Sequence, residues 1–264
     1  MLGTVLCFSL KKINFMIQLL QGDCLQKMQN IPDKSVNVIL ADLPYAQTQN
    51  SWDIMIPLEQ LWANYKRIIT DNGIIILFGQ GIFSAKLILS NMKMYKYTII
   101  WEKTSPTGHL NAKKMPLRSH EDILIFYNKL PTYNPQKTTG HERKVSTAAH
   151  KRDCKETDNY GKHGLTSYDS TERYPKSVWK FATDKQKSAL HPTQKPLKLI
   201  EELIKTYSNE WDMVLDNTMG SGTAGEACVN LKRNFIGIEL DSTIFETAHN
   251  RIQNAQRLFS EHCA

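Results

Sequence analysis

The sequence predicts an α/β fold: a mostly parallel sheet of about seven strands with helices on both faces, circularly permuted, and interrupted by one irregular insertion. Three observations predict it. Short apolar runs alternate with segments of helical periodicity. A glycine-rich loop, which should open such a sheet, stands at residues 214 to 227, after most of the strands. Residues 129 to 190 break the alternation with a polar stretch rich in turn formers.

The runs MIQLLQ (16–21), VNVILA (36–41), GIIILFG (73–79), YTIIW (97–101), DILIFY (122–127), MVLD (213–216) and NFIGIEL (234–240) read as strands. Between them Leu58, Leu61, Trp62, Tyr65, Ile68 and Ile69 fall on one helical face after Pro57, and Asn72-Gly73 ends that element. Proline suits a first helical turn because the N–H it lacks has no partner there. Leu199, Ile200, Leu203, Ile204 and Tyr207 repeat the pattern after Pro196. Ala227, Cys228 and Leu231 place a helix behind the glycine loop, and a last helix runs around Ile244 to Leu258.

A chain of 264 residues has room for one catalytic-sized domain and an insertion. The expected division is an N-terminal extension over 1–15, one half of the sheet domain over 16–128, the insertion over 129–190, and the other half over 191–264. The opening MLGTVLCFSL lacks the basic start of a signal peptide, and Met16 is an alternative first residue. Hydrophobic residues at 41% and charged residues at 22% exclude a disordered or collagen-like chain. No window approaches the roughly 18 apolar residues of a membrane span. Five cysteines without a C-x-x-C spacing suggest neither a disulfide framework nor a zinc cluster, and a reducing cytoplasm fits. His150, Cys154 and His163 read as surface residues of a polar loop, so no metal is expected.

The net charge of +7 is unevenly placed. Residues 129 to 195 hold 14 Lys and Arg against 7 Asp and Glu, which is the whole excess. Tyr133, Tyr160, Tyr168, Tyr174, Trp179 and Phe181 are interleaved with those bases, a mixture suited to phosphates and nucleobases. Arg143, Lys144, Lys151, Arg152 and Arg173 are the candidates to reach a nucleic acid.

In VLDNTMGSGTAGEA, Gly220, Gly222 and Gly225 satisfy G-x-G-x-x-G, and Glu239 closes the next strand. Glycines let the backbone turn tightly beside a ligand, and an acid at the end of the second strand can accept both ribose hydroxyls. The loop therefore reads as a nucleoside-cofactor site of a Rossmann-like sheet, open to a dinucleotide or to S-adenosylmethionine. Only 25 residues follow Glu239, too few for further strand-helix units. The remaining strands must precede the loop. That permutation sets Asp23, after the first strand, beside Glu239, where it can meet the adenine ring of the same cofactor.

The run ILADLPYAQTQNSWD ends a strand in Asp42-Leu43-Pro44-Tyr45. With that corner first, a polar insertion next and Asp216-Asn217-Thr218-Met219-Gly220-Ser221-Gly222 last, the chain from Met16 to about Arg257 resembles the DNA amino-methyltransferases of the beta class. The resemblance implies transfer of a methyl group from S-adenosylmethionine to an amine of double-stranded DNA. It gives Asp42, Leu43, Pro44 and Tyr45 the catalytic corner and residues 129–190 the reading of the DNA target. Asp216, Thr218, Gly220, Ser221, Gly222 and Thr223 take the cofactor, with Asp23 and Glu239. HPTQKP, residues 191 to 196, looks like the family segment that holds the methionine end through Thr193 and Lys195. Trp101, in IIWEKTSPTG, and Trp52 are candidate walls of the base pocket. Most relatives have proline where this chain has Leu43.

An acid at position 42 favours adenine N6, because relatives acting on cytosine commonly begin the motif with serine. Cytosine N4 is the alternative within the family, and a nicotinamide-dependent oxidoreductase is the alternative from a different class. A homodimer and a cognate restriction endonuclease are compatible with the family and are left open by the residues.

Overall fold

A computed structural model describes residues 16–45, 55–146, 167–183 and 194–262. Trp52, His150, Lys151, Arg152, Cys154, His163, Thr193 and the extension over 1–15 lie outside the described residues. In chain order the strands are β1 (Ile17–Gln21), β2 (Val36–Ala41), β3 (Ile69–Gly79), β4 (Tyr95–Thr107), β5 (Arg118–Phe126), β6 (Lys144–Ser146), β7 (Tyr168–Ser170), β8 (Val178–Phe181), β9 (Met213–Asp216) and β10 (Asn234–Glu239). The helices are α1 (Cys24–Met28), α2 (Leu58–Ile68), α3 (Ile82–Ser90), α4 (Leu197–Tyr207), α5 (Thr223–Asn230) and α6 (Ser242–His262).

Among the described residues, eight strands make the main sheet in the order β1-β10-β9-β2-β3-β5-β4-β8. Only β5 runs antiparallel to its neighbours. The permutation is explicit in this order: β10 and β9, from the end of the chain, fill the slot between β1 and β2.

Side chains alternate across the sheet and feed two cores. From β2 and β3, Val38, Leu40, Ile74 and Ile76 pack with Leu199 and Leu203 of α4, Ala227 of α5 and Ile252 of α6. Ile39, Ala41, Ile75 and Leu77 point the other way, onto Met28 of α1, Leu61 and Tyr65 of α2, and Phe83 and Leu87 of α3. Each such Ile or Leu contributes roughly 1.5–3 kcal/mol relative to exposure. Helices on both faces are therefore required by the continuous apolar runs. Cys24 and Cys228 are buried in these cores as free thiols.

Several boundaries differ from the sequence reading: β4 and β5 are longer than the runs at 97–101 and 122–127, and two further differences change the pairing. Ile69 leaves the α2 face with extended backbone (φ −70°, ψ 139°) and pairs with Val36 as the first residue of β3. The register then jumps to Val38 opposite Ile74, so Asn72-Gly73 turns inside the strand and does not end the helix. Within the expected insertion, Val178–Phe181 form β8, parallel to Ile100–Lys103 of β4. Trp179 and Phe181 pack against the core on alternate positions, a signal only four residues long in a polar stretch.

Residues 135–176 form a second compact unit. It contains the antiparallel pair β6 and β7 and a bridge between Thr138 and Arg173.

Candidate active site

The order of strands reverses between β2 and β9, the position at which α/β sheets open a crevice beyond their carboxyl ends. Asp42 follows β2 and Asp216 closes β9, so the two motifs that stand 174 residues apart in sequence meet there. Thr218 Oγ1 donates to the main-chain oxygen of Asp42 at 3.1 Å, and the Thr218 N–H donates to Asp216 Oδ1 at 3.1 Å. Asp216 is buried, and burial pushes its carboxyl up to about 8 against the relief of that N–H, with the charges of Asp42 and Glu239 adding to the rise.

The acid corner is held from both sides. Tyr45 donates its hydroxyl to Asp42 Oδ1 at 3.0 Å, and Lys195 donates to Oδ2 at 2.7 Å. Tyr45 stacks on Phe83 of α3, with centroids 4.6 Å apart and planes 29° from parallel. Burial first, and the Asp42 and Glu121 charges after it, raise its phenol well above the usual range. Leu43, at 2% exposure, drops its side chain into the core beside α1 to α3. An apolar side chain there anchors the corner.

Lys195 also pairs with Glu121 of β5 at 3.1 Å, and Glu121 pairs with Lys103 of β4 at 2.5 Å. Burial alone would lower Lys195 and raise Glu121. In each the opposite charges outweigh burial, holding the lysine above and the carboxyl below its ordinary value. Trp101 is 2% exposed and gives its indole N–H to the Phe181 oxygen at 3.0 Å. With so little surface it is a floor under Lys103, whose ammonium lies 5.2 Å from the ring, and offers no open face to a base.

In the glycine loop, Gly220 and Gly222 have positive φ of 50° and 80°. A Cβ on Gly222 would stand 3.0 to 3.2 Å from Ala248, whereas one on Gly220 would project into open space. The Gly220 N–H donates to Glu239 Oε2 and the Asp241 N–H to Oε1, both at 3.0 Å. Each carboxylate oxygen has a second lone pair, so Glu239 keeps acceptors for a diol. Asp23 caps α1 through the Gln26 N–H at 2.9 Å, and Gly22 ties this turn to the Glu239 carbonyl at 2.8 Å. The expected juxtaposition of Asp23 and Glu239 follows from the pairing of β1 with β10. An open glycine cradle flanked by two acids fits the adenosyl part of a cofactor.

Sequence reasoning missed four supports. Gln194 accepts from the Ser221 hydroxyl at 3.2 Å. Arg251 of α6 donates to Thr223 Oγ1 at 2.8 Å, reaches Ser221, and pairs with Glu226. Glu121 and Lys103 lay in strands where a charged residue reads as solvent-facing. Their burial depends on β4, β5 and the α4 entrance converging, which no local pattern records.

In the second unit, Arg143 makes a bidentate pair with Asp169 at 2.7 and 2.8 Å, and Arg173 donates to the carbonyls of Ser170, Glu172 and Glu142. These two guanidiniums brace their own unit. Lys144 is exposed on β6.

A family profile described as DNA methylase matches residues 36–250, spanning the corner and the glycine loop. The chain belongs to the DNA methylase family. It is 26% identical over 91% of its length to the type II methyltransferase M.HinfI of Haemophilus influenzae, covering 69% of that protein. It is 27% identical over 93% of its length to the DNA adenine methyltransferase YhdJ of Escherichia coli K12, covering 86% of it. The crystal structure of the M1.HpyAVI-SAM complex superposes with a TM-score of 0.63 at 27% identity, over 90% of this chain and 99% of that one. The PvuII cytosine-N4-specific DNA methyltransferase, at 12% identity and a TM-score of 0.64, shares the fold. Family membership sets aside the oxidoreductase alternative that the glycine pattern alone left open.

Proposed function

We propose that this DNA methylase transfers a methyl group from S-adenosylmethionine to the exocyclic N6 amine of an adenine extruded from duplex DNA. The observation that carries the reading is the Thr218 hydroxyl on the Asp42 main chain, which holds the glycine loop against the acid corner. Relatives named as adenine and type II methyltransferases support the base and a restriction-modification setting.

S-adenosylmethionine supplies an electrophilic methyl on its sulfonium. Glu239 accepts the ribose hydroxyls, Asp23 meets the adenine ring, and the backbone of Gly220, Ser221 and Gly222 lets the cofactor lie close, with Asp216, Thr218 and Thr223 shaping the loop. Thr193 is the expected contact for its methionine end.

The amine is a poor nucleophile because its lone pair is delocalised into the purine. Asp42 accepts one N–H and the main-chain carbonyl of Leu43 or Pro44 the other, drawing the nitrogen toward tetrahedral geometry. Acceptors aimed where charge develops stabilise the transition state, and the same carboxylate is placed to take up the proton the nitrogen releases. The base reaches this corner only by leaving the duplex stack, and the Tyr45 face opposite Phe83 receives it. Trp52 is a second wall of that pocket. Lys144, Lys151 and Arg152 take phosphates.

Asp42→Ala tests the reading. Labelled methyl transfer to DNA is expected to vanish while calorimetry still records S-adenosylmethionine binding, and unchanged turnover would sink the mechanism. Sequencing of modified bases in a host expressing the gene identifies the target, with N4-methylcytosine as the outcome that overturns adenine.

A further inference from the structure

Lys195 stands between two carboxylates, 2.7 Å from Asp42 Oδ2 and 3.1 Å from Glu121 Oε2, and Glu121 holds Lys103 through its other oxygen at 2.5 Å. The four groups form one row in the order carboxylate, ammonium, carboxylate, ammonium. Lys195, Glu121 and Lys103 keep 12, 13 and 8% of their side-chain surface, whereas Asp42 keeps 30%. The row therefore opens to solvent at Asp42. Aromatic rings floor it: Lys195 lies 5.0 Å from the Phe78 ring and Lys103 5.2 Å from Trp101, which stands directly across the strand pair from Glu121.

Buried ion pairs cost much of what their attraction returns, so such a row is a weak device for stability alone. Its effect on Asp42 is specific. An ammonium serving Asp42 only would cancel the charge that an incoming N–H must find. Glu121 takes a share of that ammonium, and the Tyr45 hydroxyl on Oδ1 completes the orientation of the carboxylate. The second lone pairs of Asp42 are then left for the substrate.

We propose that Glu121, backed by Lys103, is a positioning residue for the methyl transfer: it draws the Lys195 ammonium partway off Asp42 and sets that carboxylate to accept the target amine. The inference rests on Asp42 as the acceptor. It also moves the Lys195 side chain from the cofactor's methionine end to the acid corner.

The test is steady-state kinetics of the full chain with duplex DNA and S-adenosylmethionine. Glu121→Gln is expected to lower kcat roughly 100-fold, the scale for a catalytic group displaced by about an ångström, with KM for S-adenosylmethionine unchanged. The charged groups on Lys195 are Asp42 from the end of β2 and Glu121 from β5; the Tyr45 hydroxyl reaches Asp42, and Lys103 of β4 reaches Glu121. Losing one of the two acids that hold its proton moves the alkaline limb of the kcat profile to lower pH. Glu121→Asp restores the limb and most of the rate. The double variant Glu121→Gln with Lys103→Met removes the outer pair as a unit and guards against misfolding caused by an orphaned buried charge. It is expected to melt like the parent and to keep the kcat loss. A parental kcat in either variant, or a rate loss with an unmoved limb, overturns the proposal. An active Asp42→Ala protein would instead overturn the reading of Asp42, so the two failures are separable.

Discussion

Asp216 carries a carboxyl that the fold prefers neutral. Its ordinary value is 3.8 and its folded value is about 8, with burial the main cause. Below pH 4 both the folded and unfolded chains hold the proton, and stability does not depend on this group. Between pH 4 and pH 8 only the unfolded chain releases it, so stability falls as pH rises, by at most roughly 1.4 kcal/mol per unit. Above pH 8 the loss is complete. Asp216→Asn keeps an acceptor for the Thr218 N–H and abolishes the ionisation. Thermal melts of the cofactor-free proteins should coincide near pH 4 and diverge, the variant melting higher, up to pH 8; a margin that does not widen overturns the assignment. At this scale the sequence was informative wherever chemistry needs a particular residue type. Asp42, Glu239 and the glycines stand out as candidates because few other residue types fill such positions, and the fold brings them to one sheet edge. Trp101 did not, since an aromatic beside a site reads equally as a wall or a floor, and only its 2% exposure decides.

At the level of the element, the glycine loop separates two roles within one G-x-G-x-x-G pattern. Gly222 is the residue before α5, with a left-handed backbone and Ala248 of α6 against its missing Cβ. Gly222→Ala should therefore destabilise the folded protein by about 1–3 kcal/mol, combining left-handed strain with overpacking. Gly220 shares the strain and has open space where its side chain would be. Gly220→Ala is expected to cost less in a denaturant titration and more in S-adenosylmethionine affinity by calorimetry; the reverse ranking would contradict the cradle. Strands and amphipathic helices were legible because two buried sheet faces demand continuous apolar runs and helices demand one stripe. α1 and α3 were missed because five residues show no period, and because α3 is apolar on its exposed positions Ile82 and Leu89 as well as on Phe83 and Leu87. β8 was missed because its pairing with β4, not its composition, makes it a strand.

Charge is a property of the whole molecule, and here its excess was visible from counting alone. What counting could not divide was bracing from binding. Arg143 and Arg173 are engaged with Asp169 and with main-chain carbonyls, while Lys144 is exposed on β6. Lys144→Ala is expected to weaken binding to duplexes of any sequence alike and to reduce the slope of log affinity against log salt by about 1. A change in sequence preference with an unaltered slope would show that the residue reads bases.

The slot between β1 and β2 has a consequence for how the protein comes into being. β1 and β2 are not neighbours: Val38 of β2 pairs with Val214 of β9 and Ile17 of β1 with Phe235 of β10, partners encoded 176 and 218 residues later. Pairings so distant in sequence are slow to close and leave strand edges bare meanwhile. A chain emerging from the ribosome thus carries its acid corner early and completes the site only once β9 and β10 have been made and take their slot.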